Sequence, residues 1–344
     1  RFPTERVQAD VPAFLPSLPA GAPRNRLGLA RWLVDPGNPL TARVTVNRMW
    51  QHFFGAGLVA TPEDFGTRGA QPSHPDLLDW LATEFMRSGW NVKYMHRLIV
   101  TSATYQQASR QPPVHPPSPR SQEIVALYGR FPRQPLHAEA IRDSVLLVSG
   151  LLDGRLGGKS VFPYQPPGLW SDVAYATEYS AQTYLPSIGG DRYRRSLYTF
   201  WKRSVPAPAQ EILNAPNRET CTVRRATNST SLQALVLMNE PTFIEASCRL
   251  AKSVTATAGS CFDEQLRFTF ERLFARLPAK SETAILKQMG EENWKEYRQD
   301  PAAAASLLAF GKVTPGSAPV DAEQAAWASL IQTLFTLDEF VMKQ

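Results

Sequence analysis

Ser73-His-Pro-Asp-Leu-Leu-Asp-Trp-Leu-Ala-Thr-Glu-Phe85 is the stretch from which the fold is read. Ser73 and Asp76 fit the S/T-x-x-D/E capping pattern, in which side-chain oxygens satisfy the N–H groups that a helix start leaves open. Pro75 falls near the first turn, where its missing N–H costs nothing. Leu77, Leu81 and Phe85 recur every fourth residue, the spacing of one helix face, and Ser88-Gly89 stops the run.

The same pattern extends in both directions. Upstream it predicts a short helix over Asn25 to Val34, stopped by Asp35-Pro-Gly-Asn-Pro39, and a longer one from Leu40 to Phe54. Downstream, Val92, Met95 and Ile99 mark a helix from Val92 to Gln107, and Ile141, Val145 and Val148 mark another from His137 to Leu152. Helical spacing returns over Ser231 to Met238, Pro241 to Leu250, Phe262 to Leu277, Ser281 to Tyr297 and Ala302 to Phe310. It ends in Ala322 to Met342, where Trp327, Leu330, Ile331, Leu334 and Val341 share a face. Gly154 to Ser204 is different, rich in Gly, Pro, Tyr and Trp, and Arg195 to Lys202 has the aromatic content of a strand. The fold class is therefore mainly α, a multi-helix globular fold with a small aromatic-rich β or irregular layer.

Proline divides this chain. Residues 1–24 carry five prolines and read as an extended arm, 25–110 as a helical lobe, and 111–122 as a Pro-rich linker or loop. Residues 123–344 read as a second helical lobe holding the small β or aromatic layer, one that could also form a single domain with 25–110.

With 344 residues, 43% hydrophobic and 20% charged, the composition is that of an ordinary globular protein and excludes disorder, collagen and coiled coil. No run approaches the ~18 apolar residues of a membrane helix, and no basic start leads into an apolar signal core. The reading is of a soluble, mature or excised piece. Cys221, Cys248 and Cys261 include no C-x-x-C pair, so no zinc or redox motif is present, and the lack of C-x-x-C-H excludes covalent c-type haem in this chain. His52, His74, His96, His115 and His137 show no H-x-x-x-H spacing. The expectation is no metal and no cofactor.

The net charge is +6, and residues 191–225 alone carry five net positive charges. Arginine forks grip carboxylate, sulfate or phosphate at two points. Arg194, Arg195, Arg203, Arg224 and Arg225 are therefore candidates for an anion or partner site that would take acidic polysaccharide, haem propionates or a partner surface. The alternative is that they pair with acids elsewhere in the fold. A second candidate is the carboxylate set Asp64, Glu139 and Asp143. Glu139 and Asp143 share a helix face, and two carboxyls are the minimum apparatus of glycoside hydrolysis, although Arg142 is placed to neutralise them. Cys221, close to Arg224 and Arg225, could carry a thiolate. Arginines interleaved with Tyr198, Phe200 and Trp201 raise nucleic acid as a partner only loosely, and the expectation is none.

Several segments together resemble one family. They include Asn25-Arg-Leu-Gly-Leu-Ala-Arg-Trp-Leu33, Asn38 to Gly55, Thr61-Pro-Glu-Asp-Phe-Gly66, Gly157 to Trp170, Tyr193 to Arg203, Cys221-Thr-Val-Arg-Arg225 and Leu232 to Asn239. They resemble the planctomycete-type domain of unknown function that follows c-type cytochrome modules in large exported bacterial proteins. The resemblance implies a secreted, periplasmic or cell-surface setting, haem only in an adjoining cytochrome module of the same longer chain, and no catalytic residue to carry over. Where similar sequences often place Asp in a Phe-Asp-x-Pro-x-Arg stretch, this chain has Asn214. The expected function is a non-catalytic binding or interaction module recognising acidic glycan or a redox partner; the alternative is a polysaccharide-acting hydrolase using the paired carboxylates.

Overall fold

Proline opens helices here as well as interrupting them. Pro75, Pro208, Pro241 and Pro301 each occupy the first position of a helix, where φ is already near its helical value and no N–H is needed. The structure is a computed structural model that describes residues 8–109, 127–165, 167–172, 184–202, 205–312 and 318–343. The Pro-rich stretch 111–122, His115 and Arg203 lie outside the described residues.

Two units are present, one ending at Gln134 and one spanning Pro135–Lys343. The first contains α1 (Arg26–Leu33), α2 (Thr41–Phe54), α3 (Pro75–Arg87) and α4 (Val92–Val100). Ala42, Val46, Trp50 and Phe54 recur every fourth residue along α2 and meet Leu78, Leu81 and Phe85 of α3 and Met95 and Ile99 of α4 in one core. Asn47, fully buried in the same helix, acts as a surrogate strand. Its side chain accepts from the Val59 N–H at 2.8 Å and donates to the Val59 carbonyl at 3.1 Å. This unit runs past the proline stretch expected to separate the lobes, because Tyr128 and Phe131 are part of its core. The Tyr128 hydroxyl reaches the carbonyls of Ala56 and Gly57, each at 3.1 Å.

Two local expectations change. Ser73 does not cap α3; its hydroxyl donates to the Leu58 carbonyl at 3.3 Å, and His74 takes the cap position without a side-chain bond. The helix at Val92 stops at Val100 instead of Gln107. There Thr101 and Ser102 turn their hydroxyls back onto the carbonyls of Arg97 and Ile99, offering the backbone an alternative to further helical turns.

The second unit holds α5 (Ala138–Val148), α6 (Leu169–Asp172), α7 (Pro208–Ile212), α8 (Ser231–Asn239), α9 (Pro241–Thr257), α10 (Phe262–Phe274), α11 (Lys280–Gln299), α12 (Pro301–Phe310), α13 (Ala318–Phe335) and α14 (Asp338–Val341). Phe243, Leu250 and Val254 of α9, Leu266 and Phe270 of α10, and Leu330, Ile331 and Leu334 of α13 lie in its core, with Ile141 and Val145 of α5 against them. The last helix is expected to run unbroken to Met342. It ends at Phe335, and α14 follows as a separate turn pinned by Arg276, whose guanidinium bonds both Glu339 and Glu282 at 2.5 to 2.8 Å.

The fold is mainly helical, and sheet is confined among the described residues to Gln134–Pro135 and Met342–Lys343. The strand expected over Arg195 to Lys202 is absent. In and beside that segment there are isolated bridges, Asp153 with Arg194, Val161 with Thr199 and Lys202 with Val205, around a 3-10 turn at Ser196–Tyr198. Its aromatics are satisfied by packing: Phe200 stacks on Phe162 at 4.8 Å, and Trp170 lies against Tyr184 at 5.0 Å. The layer is irregular.

Candidate functional site

Helix α5 brings Arg142 and Asp143 to the start of the arginine-rich segment and Glu139 to its end. Glu139, in the first turn, accepts both arms of Arg225, at 2.6 and 3.1 Å. Burial is the largest single influence and pushes the Glu139 carboxyl up, but the Arg225 bonds, a backbone hydrogen bond and the charges of Arg225 and His137 together outweigh it and hold the carboxyl below its ordinary value. Asp143, one turn later, accepts the Ser196 N–H at 2.7 Å and lies 3.5 Å from the Arg195 guanidinium. Two of the three carboxylates proposed for hydrolysis, Glu139 and Asp143, are thus partners of two of the five arginines proposed for anion binding, Arg225 and Arg195.

Arg142, expected to neutralise the acids, is 6% exposed and bonds neither of them. Its guanidinium donates to the carbonyls of Arg194 and Arg192 at 3.0 and 2.8 Å and to the Ser196 hydroxyl at 3.2 Å. Burial lowers its pKa from the ordinary value, and three fixed acceptors compensate the desolvated charge in part.

Arg194 is likewise internal. It donates to the carbonyls of Arg155 and Gly157 at 2.9 and 2.5 Å and lies 3.9 Å from the centre of the Tyr198 ring. The Gly-rich loop at 155–159 has no sheet ladder to order it, so this side chain serves that role. Arg195 is half exposed. Arg224 is exposed and has no ion-pair partner among the described residues. Arg218, also exposed, stacks on Trp201 at 4.6 Å, and Lys202 stacks on Trp170 at 4.3 Å.

Beneath this layer Ala138, Arg142, Pro163, Thr199, Gln210 and Glu240 line a cavity of about 30 Å³. Its wall is mostly apolar, although the buried Thr199 hydroxyl and Gln210 amide nitrogen of its lining residues have no hydrogen-bond partner among the described residues, and it is sized for a water rather than a sugar. Glu240 caps α9, accepting the Phe243 N–H at 3.1 Å, and burial raises its pKa. Neither Glu240 nor Gln210 is among the sequence-derived candidates. The signal that points to Glu240 is its place directly before Pro241, which marks it as a helix cap.

Asp64 belongs to the first unit. It closes a turn, accepting the Gly66 N–H at 2.8 Å, while its carbonyl accepts the Thr61 hydroxyl at 2.8 Å. A Cβ at Gly69 would sit 2.1 Å from that carbonyl oxygen, so only glycine fits. Asn214 has φ +67°, a region Asn tolerates better than most residues, and its side-chain amide donates to the Asn228 carbonyl at 2.9 Å. An aspartate there would lose that donor.

Cys221 and Cys261 are exposed and free, and Cys248 is buried. Burial pushes the Cys248 thiol up to about 12. Among the described residues no three His, Cys, Asp or Glu side chains are grouped to hold a metal ion, and no helix is long and apolar enough to cross a membrane.

No curated protein and no solved structure matches the chain. The family model described as PSD1, protein of unknown function (DUF1553), matches residues 25–289. That span includes α5, the arginine segment and every candidate residue above, and the chain belongs to the DUF1553 (PSD1) family.

Proposed function

We propose that the chain is a non-catalytic binding module that holds an acidic glycan on the exposed basic side chains of residues 191–225. The observation that carries this reading is the mutual neutralisation of Glu139 with Arg225 and Asp143 with Arg195. Paired-carboxylate hydrolysis needs an acid and a base free to flank the scissile bond; here both acids are occupied by guanidinium. Arg224 carries uncompensated charge at the surface, and so does Arg218, whose guanidinium stacks on Trp201.

The resemblance to domains that follow c-type cytochrome modules supports placing the module in an exported, cytochrome c-associated protein. In that setting an adjoining cytochrome module carries the haem, and a redox partner is the other anionic surface to consider.

The test is binding of sulfated and polyuronate oligosaccharides by calorimetry. Affinity should fall steeply with salt, because exposed ion pairs are screened, and by about tenfold in Arg224→Ala with Arg218→Ala, at roughly 1.4 kcal/mol per decade. No binding, or binding indifferent to salt, overturns the proposal. Release of reducing ends from polysaccharide that disappears in Glu139→Gln would put the hydrolase in its place.

A further inference from the structure

A second cavity, of about 230 Å³, shares no residue with the arginine segment and lies among α10, α11 and α13. It is smaller than the ~300–1,000 Å³ of sites for drug-sized ligands. Phe262 and Trp327 stack in its wall with centroids 5.1 Å apart and planes 25° apart, and Trp294 adds a third ring. A Cβ at Gly290 would meet the Phe262 ring at 2.9 Å, so glycine lets that ring lie against α11.

The polar side of the cavity is ordered. The Trp327 indole can only donate, and it bonds Gln265 Oε1 at 2.8 Å. That fixes the amide, whose Nε2 donates to Glu323 Oε1 at 3.1 Å and to the Gly259 carbonyl at 2.9 Å. Glu323 is therefore held by a neutral donor, and neither it nor Glu291, the other carboxylate in the wall, has an ion-pair partner among the described residues. Trp294 already receives a cation on its ring, the Arg298 guanidinium at 4.7 Å.

We infer that this cavity binds a small alkylated ammonium ion, its methyl groups against Phe262 and Trp327 and its charge beside Glu323. Aromatic faces attract an organic cation through their negative quadrupole and do so most strongly when it is desolvated. A bare divalent metal would want six or more oxygens, which the rings do not supply. An anion would meet Glu323 and Glu291. A neutral apolar ligand would desolvate Glu323 without compensation.

The test titrates the protein with choline and, separately, with its uncharged isostere 3,3-dimethylbutanol, following Trp indole N–H resonances. Choline should bind about tenfold or more tightly than the isostere, and Glu323→Gln, which preserves the Gln265 bond, should remove that preference. Trp294→Ala, at a site 39% exposed and so tolerant of change, should weaken choline several-fold if Glu323→Gln fails to fold. Cosedimentation with phosphatidylcholine vesicles, lost in Glu323→Gln, would identify a lipid head group as the source of the ammonium; choline binding without it identifies a free solute. Equal binding of choline and the isostere, or no response to choline, overturns the inference.

Discussion

Arg225 grips Glu139 with both arms of its guanidinium, at 2.6 and 3.1 Å, across 86 residues of sequence. Because Arg225 holds the Glu139 carboxyl below its ordinary value, the unfolded chain binds the proton at a higher pH than the folded one. The pair's stabilisation is therefore complete above the unfolded carboxyl's value of ~4.3 and is lost as pH falls through the folded one. Glu139→Gln should cost about 1–3 kcal/mol at pH 7, and denaturant titrations should show the gap to wild type closing in acid. A gap independent of pH would mean that the bond contributes as packing rather than as charge.

Glu240 has the opposite sign. Burial raises its pKa, so between the unfolded and folded values the native state holds the extra proton and stability declines as pH rises. Glu240→Gln keeps an oxygen for the Phe243 N–H and removes the charge. It should match or exceed wild-type stability at pH 7 and lose any advantage below the unfolded carboxyl's value, measured by urea midpoints at both pH values.

Asn47 offers a sharper test of the first unit. Asn47→Asp retains the acceptor for the Val59 N–H but loses the donor to the Val59 carbonyl and buries a charge. A loss of several kcal/mol is expected, and Asn47→Leu should be milder than Asn47→Asp. The reverse order in thermal or chemical denaturation would show that the bond retained from the Val59 N–H outweighs the cost of burying the charge.

At the end of α10, Ala275 sits at φ +54° with its N–H on the Glu271 carbonyl at 3.2 Å. A Cβ in this region costs about 1–2 kcal/mol, and glycine avoids it, offset in part by the extra freedom that glycine has in the unfolded chain and loses on folding. Ala275→Gly should raise stability by roughly 0.5–1 kcal/mol, a shift readable in the denaturation midpoint.

Much of the fold was legible because its helices announce themselves locally. Asn25 caps α1 through the N–H groups of Leu27 and Gly28, and the four-residue spacing along α2 is visible as written. What misled was local pattern overridden by distant partners. Ser73 looks like a cap, yet Leu58 fifteen residues away takes its hydroxyl. Arg195 to Lys202 has strand composition, yet its aromatics pack on Phe162 and Trp170 instead of entering a ladder. At the site, residue types alone named both Glu139 and Arg225, but nothing in the sequence says that a carboxylate and a guanidinium so far apart would meet. That pairing turns two candidate sites into one network.

Cys248 carries a last consequence. Its sulfur lies so close to α12 that a Cβ on Gly311 would come within 2.4 Å of it, and burial keeps its thiol protonated up to about 12. Alkylating reagents can therefore reach it only when α9 and α12 part, whereas Cys221 and Cys261 stand open in the folded protein. With those two replaced by serine, the labelling rate of the remaining thiol becomes an internal clock for how often the second unit breathes.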